Sequence, residues 1–383
     1  MTRRGLAAFA ALLTSAACAL SLGNALYAYM ALLLGLMLVY GFATCLWARL
    51  TARCVQSLSA ATAERGQHVT LTMRAEHRCP LPISPPRGVF FFDGQEQECL
   101  FSARAFRSHE RRAQMQARHV GVYAAGLTKL TISDFFGLFR FRLPVSGGAS
   151  TLKVLPRPFD IDKPRMVLGD EGSAALARTQ EDYNAPEDVR AYRQGDAMKR
   201  IHWKLSSRKR ELLVRRFETP APPDTLILLD CNEPLGGENV NEGKACLRDA
   251  LCETAVAVAG MQMEDGSPVR LPMYGERANE FSSDRAAGLS LLQEMLAAQP
   301  FGGGEDFARV LNLELRRMRR TGAAVIITTR LDAQIVEGVA SIRRMGPSAR
   351  LYLVTYTPEA PEYQPYVTRL QHHLVEVCYV TPA

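Results

Sequence analysis

The sequence predicts a chain in three parts: an amino-terminal two-helix transmembrane hairpin, a small β-sandwich-like domain, and a carboxyl-terminal α/β domain with a mostly parallel sheet. Three observations predict it. No Asp or Glu precedes Glu64, and that stretch holds two long apolar runs. Residues from about Val69 to Pro144 read as short strands separated by turn signals. After Asp224, apolar strands alternate with helix-like segments, the pattern of a sheet covered on both faces.

Composition sets the outer bounds. The chain has 383 residues with 47% hydrophobic and 22% charged side chains, which excludes wholesale disorder and fibrous repeats. The length predicts two or three domains. Nine Cys in such a chain, with no C-x-x-C pair, exclude a disulfide scaffold, a zinc ribbon and a thioredoxin-like site. Cys79, Cys99, Cys231, Cys246, Cys252 and Cys378 read as ordinary packing residues. Of the net charge of +7, the segment before Glu64 contributes four positive residues: Arg3, Arg4, Arg49 and Arg53.

The hairpin is predicted over 1–55. Leu6 to Leu22 is uncharged, as is Ala25 to Trp47, with Gly23-Asn24 between them as a turn. About 20 apolar residues cross a bilayer, so the second run is ample and the first just sufficient. Tyr27, Tyr29 and Trp47 lie near run ends, where aromatic rings favour the interface. Arginines flank the outer end of each run, so the positive-inside rule puts both ends in the cytoplasm. Two other readings stay open. Arg3-Arg4 with Ser15-Ala16-Ala17-Cys18 fits the outline of a signal peptide, and the runs also fit a buried soluble hairpin.

The β-sandwich-like domain is predicted over 60–150. Val69 to Met73 alternates, Gly88 to Phe92 resumes the pattern, and Asp93-Gly94 is a turn. His119 to Tyr123 and Leu127 to Ser133 follow, while the basic stretch Arg104 to Arg118 reads as an exposed edge or loop. A basic bridge is predicted over 151–223, with a strand at Leu152 to Pro156 and a stiff spacer at Pro220 to Pro223.

The α/β domain is predicted over 224–383. Strands are expected at Thr225 to Asp230, Pro268 to Met273, Ala323 to Thr329 and Arg350 to Tyr356. Helices are expected at Lys244 to Met263, Asp284 to Ala298 with Asp284 as its cap, Phe307 to Arg320 and Ala333 to Met345. Asp230 falls at the carboxyl end of the first strand, where ligands sit in such folds. Gly302-Gly303-Gly304 leads into a helix but lacks the Gly-Lys-Ser/Thr of a phosphate loop.

The bridge carries the most specific motif. Arg190, Tyr192, Gly195 and Asp196 are followed by Arg200-Ile201-His202-Trp203-Lys204 and Arg208, then by a basic strand and a strand ending in Asp230. This resembles the domain-of-unknown-function 58 family (DUF58). A second resemblance is Gly121-Val122-Tyr123 with Ser133-Asp134-Phe135-Phe136-Gly137-Leu138-Phe139, where the family usually has Asp-Pro-Phe-Gly-Leu and Phe135 stands for the Pro. The resemblance implies a von Willebrand factor A-like α/β domain. It also implies association with a MoxR-type AAA ATPase and with transglutaminase-like membrane proteins, but it supplies no reaction. The implied location is the bacterial cytoplasmic membrane, crossed twice, with the body facing the cytoplasm.

These residues suit several chemistries. Metal-binding relatives of the implied domain place Asp-x-Ser-x-Ser after the first strand, hydroxyls and an acid being the hard ligands Mg²⁺ prefers. Here the stretch is Asp230-Cys231-Asn232-Glu233-Pro234, a degenerate site, with Thr328, Thr329 and Asp332 as further oxygen sources. The bland reading has Asp230 bonding its own turn or pairing with a bridge arginine. His202 beside Asp196, Ser206 and Ser207 invites an acyl-transfer reading, although no Gly-x-Ser-x-Gly elbow exists. Trp203 reads as a core anchor rather than a ligand stacker. Residues 190–216 hold ten Lys/Arg against Asp196 and Glu211, and residues after 216 hold 15 basic against 22 acidic residues. Pairing within the chain, an acidic partner, anionic lipid, or nucleic acid all suit such a segment, although no nucleic-acid motif accompanies it.

The leading expectation is a membrane-tethered, non-catalytic scaffold that binds cytoplasmic proteins and needs no cofactor. The alternatives are an Mg²⁺-dependent adhesion module or hydrolase using Asp230, and an anionic-lipid or nucleic-acid binder using the basic bridge.

Overall fold

The computed structural model describes residues 1–92, 95–102, 104, 106–159, 186–193, 198, 201–217, 223–234, 240–274, 278–302, 305–318 and 321–382. The chain divides into two compact units, Met1–Leu155 and Pro156–Ala383.

The first unit begins with two helices, α1 (Arg3–Leu22) and α2 (Ala25–Thr51), both long and apolar enough to cross a membrane. Gly23 adopts a left-handed conformation (φ 62°) that closes α1, and the Asn24 side chain accepts the Leu26 N–H to open α2. The two helices pack on each other.

Nine strands follow: β1 (Arg53–Leu58), β2 (Thr62–Glu64), β3 (His68–Glu76), β4 (Arg87–Phe92), β5 (Gln95–Leu100), β6 (His109–Gln116), β7 (Gly121–Ser133), β8 (Arg140–Leu143) and β9 (Ser150–Leu155). One sheet has the order β1-β3-β6, and the other runs β2-β9-β7-β4-β5 with β8 on β7. Leu71, Met73 and Met115 from the first sheet share a core with Phe90, Leu127, Leu130 and Ile132 from the second. Much of the basic stretch Arg104 to Arg118 is the edge strand β6. The strand expected in the bridge is β9, which pairs with β7 inside this first unit. The Asp93-Gly94 turn lies outside the described residues.

The end of α2 is docked on these strands. Gly41, Thr44, Cys45 and Ala48 are buried at helical spacing on one face, and Ala48 joins the sheet core. Phe42 packs edge-to-face on Phe139 (5.6 Å) and Phe141 (6.0 Å). The loop after β7 is clasped between both helices. Asp134, fully buried, accepts the N–H groups of Phe136 (3.0 Å) and Phe139 (2.7 Å). Thr2, the cap of α1, donates its hydroxyl to the Gly137 carbonyl (2.6 Å) and its N–H to that of Leu138 (2.9 Å). A Cβ on Gly5 would overlap the Leu138 carbonyl, so only glycine lets the loop approach that closely.

The second unit opens with an antiparallel pair, β10 (Pro186–Ala191) and β11 (Leu213–Phe217), enclosing a short helix α3 (Trp203–Lys209). A six-stranded sheet follows, built from β12 (Asp224–Leu229), β13 (Val269–Tyr274), β14 (Ala278–Ser283), β15 (Thr321–Thr328), β16 (Ser348–Val354) and β17 (Glu376–Val380). Its order is β14-β13-β12-β15-β16-β17, parallel except for β14. Helices are α4 (Val240–Glu264), α5 (Leu289–Ala298), α6 (Phe307–Arg317), α7 (Ala333–Arg344) and α8 (Gln364–His372). Leu226 and Leu228 pack with Phe307, Leu311, Val336 and Leu370, while α4 also packs against β12. The alternate residues Ile227 and Leu229 point to the opposite sheet face and are buried too. Burial on both faces is why these strands read as unbroken apolar runs.

Several elements of this unit differ from the sequence reading: α8 and β17 were not expected, and α6 ends at Arg317 rather than Arg320. β14 was not expected, since Phe281 is its one large apolar residue. The helix expected from Asp284 begins at Leu289 after a short 3-10 turn, so Asp284 does not cap it.

The chain leaves β12 for β13 on one side and returns to β15 on the other. The carboxyl ends of β12 and β15 therefore flank the switch point, where doubly wound sheets open a crevice.

Candidate functional site

Two places hold the residues singled out by the sequence. The first is the segment around α3. His202 caps that helix: its Nδ1 accepts the Leu205 N–H (3.3 Å), and its own backbone N–H donates to the Leu213 carbonyl (2.8 Å). The Ser206 hydroxyl is buried and accepts the Leu213 N–H (2.9 Å), while the Ser207 hydroxyl donates to the Lys204 carbonyl (3.2 Å). Ile201 is buried and bridges to Val214. The backbone N–H of Tyr192 donates to Leu212, which ties β10 to the approach of β11. These serines and this histidine are thus committed to backbone bonds that shape the turn of chain, rather than arranged as nucleophile and base. Gly195, Asp196 and Arg200 lie outside the described residues.

Trp203 corrects the sequence reading. It is 62% exposed at the first turn of α3, not a core anchor. Ile201 and Ser206 supply the buried side of the segment, and the Trp faces outward. Lys204, Arg208, Lys209 and Arg210 are exposed in the same segment, as are Met198 and Leu212. Arg210 adopts a left-handed conformation (φ 57°) that ends the helix and turns the chain toward β11. Arg190 lies exposed on β10, with one guanidinium nitrogen donating to the Ala191 carbonyl (3.2 Å).

The second place is the crevice at the switch point. Asp230 is fully buried there. One carboxylate oxygen accepts the Asn232 N–H (3.0 Å), and the other accepts the Thr328 hydroxyl (2.8 Å) from the end of β15. Arg330 Nε stands 3.6 Å from the second oxygen, an ion-pair distance rather than a hydrogen bond. Burial raises the Asp230 carboxyl above its ordinary range, and the bonds from Thr328 and Asn232 with the Arg330 charge only partly offset this.

Glu233 is taken up elsewhere. It pairs with Arg248 (2.9 Å) and Lys244 (3.4 Å) of α4, and Arg248 lies over the Phe301 ring. Gly302 (φ 91°) donates its N–H to the Cys231 carbonyl, and a Cβ there would stand 2.9 Å from a Glu233 oxygen. Burial pushes the Cys231 thiol up to about 12, with the Asp230 charge adding to it, so it is neither thiolate ligand nor nucleophile at neutral pH. Asp332 caps α7, accepting the N–H groups of Gln334 (2.9 Å) and Ile335 (2.8 Å).

These groups do not fit a divalent cation. Mg²⁺ needs several free oxygens, whereas the carboxylates of Asp230 and Glu233 already face Arg330, Arg248 and Lys244. Among the described residues, Asp230 pairs with Arg330, from the loop after β15. Sequence reasoning missed Arg330 and Arg248, because nothing in their local context marks them as partners of Asp230 and Glu233, 100 and 15 positions away.

Comparisons with solved structures give only remote likenesses. Alkylpurine DNA glycosylase AlkC of Pseudomonas fluorescens, bound to DNA containing an abasic site analog, is 10% identical over 33% of this chain and 38% of its own (TM-score 0.19). The sporulation control protein Spo0M of Bacillus subtilis is 11% identical over 37% and 58% (TM-score 0.16). Cwp6 of Clostridium difficile is 9% identical over 86% and 53% (TM-score 0.19). The chain thus spans under two thirds of each, and TM-scores this low establish no shared fold. No curated protein matches the chain. Residues 188–349, which run from the α3 segment through the Asp230 crevice, match the family model described as protein of unknown function DUF58, in agreement with the resemblance carried by the bridge motif.

Proposed function

We propose that this protein is a membrane-tethered, non-catalytic scaffold, and that α3 is the face on which it docks an acidic partner protein. The observation that carries the proposal is the exposure of Trp203 among Lys204, Arg208, Lys209 and Arg210. An exposed Trp in a segment that also exposes four cations has the make-up of an interface hot spot, where Trp and Arg supply most of the binding energy. The cations favour a partner surface rich in Asp and Glu.

The tether is the α1–α2 hairpin, with Arg3, Arg4, Arg49 and Arg53 holding its ends and the body in the cytoplasm. The α/β unit is read as von Willebrand factor A-like, and the strands before it as a β-sandwich. The DUF58 resemblance makes a MoxR-type AAA ATPase the first partner to seek, in assembly or upkeep of a membrane or envelope complex. The filled crevice at Asp230 favours docking over metal-dependent adhesion or hydrolysis.

The test is affinity capture from detergent-solubilised membranes with the wild-type chain and with Trp203→Ala. Recovery of an AAA ATPase by the wild type and its loss from the variant supports the proposal. Equal recovery by both chains, or recovery of nucleic acid or lipid alone, overturns it.

A further inference from the structure

The loop that clasps the hairpin exposes two neighbouring aromatic rings. Phe135 is 63% exposed and Phe136 is 42% exposed, stacked edge-to-face with centroids 5.4 Å apart. They lie between Asp134, buried beside Gly41, and Gly137, whose carbonyl accepts the Thr2 hydroxyl. We propose that Phe135 and Phe136 form an interfacial anchor that inserts into the bilayer beside the hairpin, in the leaflet at the amino end of α1. This rests on the membrane reading above.

The level of the rings follows from helix length. At a rise of about 1.5 Å per residue, α1 spans about 30 Å, the thickness of the hydrocarbon layer. The first turn of α1 therefore marks one border of that layer, and Thr2 and Gly5 bind the loop there. α2 is longer, about 40 Å by the same rise. Running antiparallel, it meets the loop at Gly41 and emerges with its buried face Thr44, Cys45 and Ala48 against the strands. Both helices thus place Asp134–Phe139 at the border.

The loop is chemically suited to that depth. Its Phe136, Gly137 and Phe139 N–H groups are all taken up by Asp134, so little unpaired backbone enters the apolar medium. Aromatic rings concentrate at membrane interfaces. Leu6, Phe9, Phe42 and Leu46 continue the exposed apolar surface along the helices, and Arg3 and Arg4 stand ready for anionic headgroups.

The experiment uses the full chain with p-benzoylphenylalanine placed singly at Leu36, Phe135 or Val122, reconstituted in vesicles of phosphatidylethanolamine and phosphatidylglycerol. After irradiation, mass spectrometry reads phospholipid adducts. Leu36 is an exposed residue of α2; Val122 is exposed at the opposite end of β7, about 40 Å of strand from the loop. The expected result is lipid adduct at Leu36 and Phe135 and its loss at Val122. Adduct at Leu36 without adduct at Phe135, or protein adduct at Phe135, overturns the anchor and leaves the hairpin standing. No adduct at Leu36 overturns the membrane reading itself, and the anchor with it.

Discussion

The carboxylate of Asp134 lies against Gly41: a Cβ added to that glycine would stand 3.2 Å from Asp134 Oδ2. This contact joins the apolar hairpin to the strands through the one buried acid of the loop, which organises the turn with its two backbone bonds. Replacing Gly41 by Leu should push the carboxylate out and cost about 1–3 kcal/mol, the range for overpacking. Gly35→Ala, where the nearest atom is 3.9 Å away, should be neutral. Thermal unfolding of the detergent-solubilised chain compares them, and equal melting points would show that the clasp adds nothing to stability.

Asp134→Ala should cost a similar amount, about 1.5–3 kcal/mol, since hydrogen bonds to a charged group are lost. The Phe136 and Phe139 amides should then exchange with deuterium faster than in the wild type. Unchanged exchange at both would remove Asp134 from this role.

Trp203→Ala should leave stability within about 0.5 kcal/mol, as for an exposed side chain without a structural role. Ile201→Ala, two positions earlier and buried, should cost about 2–4 kcal/mol. Urea unfolding of the two variants separates them. A large loss from Trp203→Ala would return that ring to the core and weaken the docking proposal.

Burial holds the Asp230 carboxyl above its ordinary range, so the folded chain binds this proton more readily than the unfolded chain. Stability contributed by such a group is greatest at low pH and falls as pH rises from the ordinary carboxylate value through the folded one. The unfolding free energy of the wild type, taken relative to Asp230→Asn, should therefore decline over that window. Urea titrations from about pH 4 to pH 7 read it. A difference that rises with pH would mean that Arg330 and Thr328 outweigh burial.

Magnesium should give no Asp230-dependent heat, because Arg330 already faces that carboxylate and Lys244 and Arg248 face Glu233. Calorimetry with the wild type and Asp230→Ala should give superimposable titrations. A binding signal present only in the wild type would reinstate the metal reading.

What was legible in the sequence was whatever rests on periodicity or composition. The hairpin shows in the missing acids, and β12, β15 and β16 show as apolar runs because both faces of the sheet are covered. β14 escaped because an edge strand needs only Phe281 turned inward, and the false helix start at Asp284 came from a good capping residue standing five positions before the apolar spacing begins. The site was harder. Asp230 could be placed at a strand end, but its partners Thr328 and Arg330 come from β15 and the loop after it, and only the parallel pairing brings them near. Trp203 was misjudged because Trp is usually buried; its exposure depends on Ile201 and Ser206 filling the inner side of the segment.

The most direct measurement concerns the side of the membrane on which the body lies. With an epitope tag fused after Ala383, antibody binding should be absent from intact cells and appear only once the membrane is opened. A tag reached from outside intact cells would contradict the account, since neither the hairpin orientation nor a cytoplasmic partner at Trp203 could then be kept.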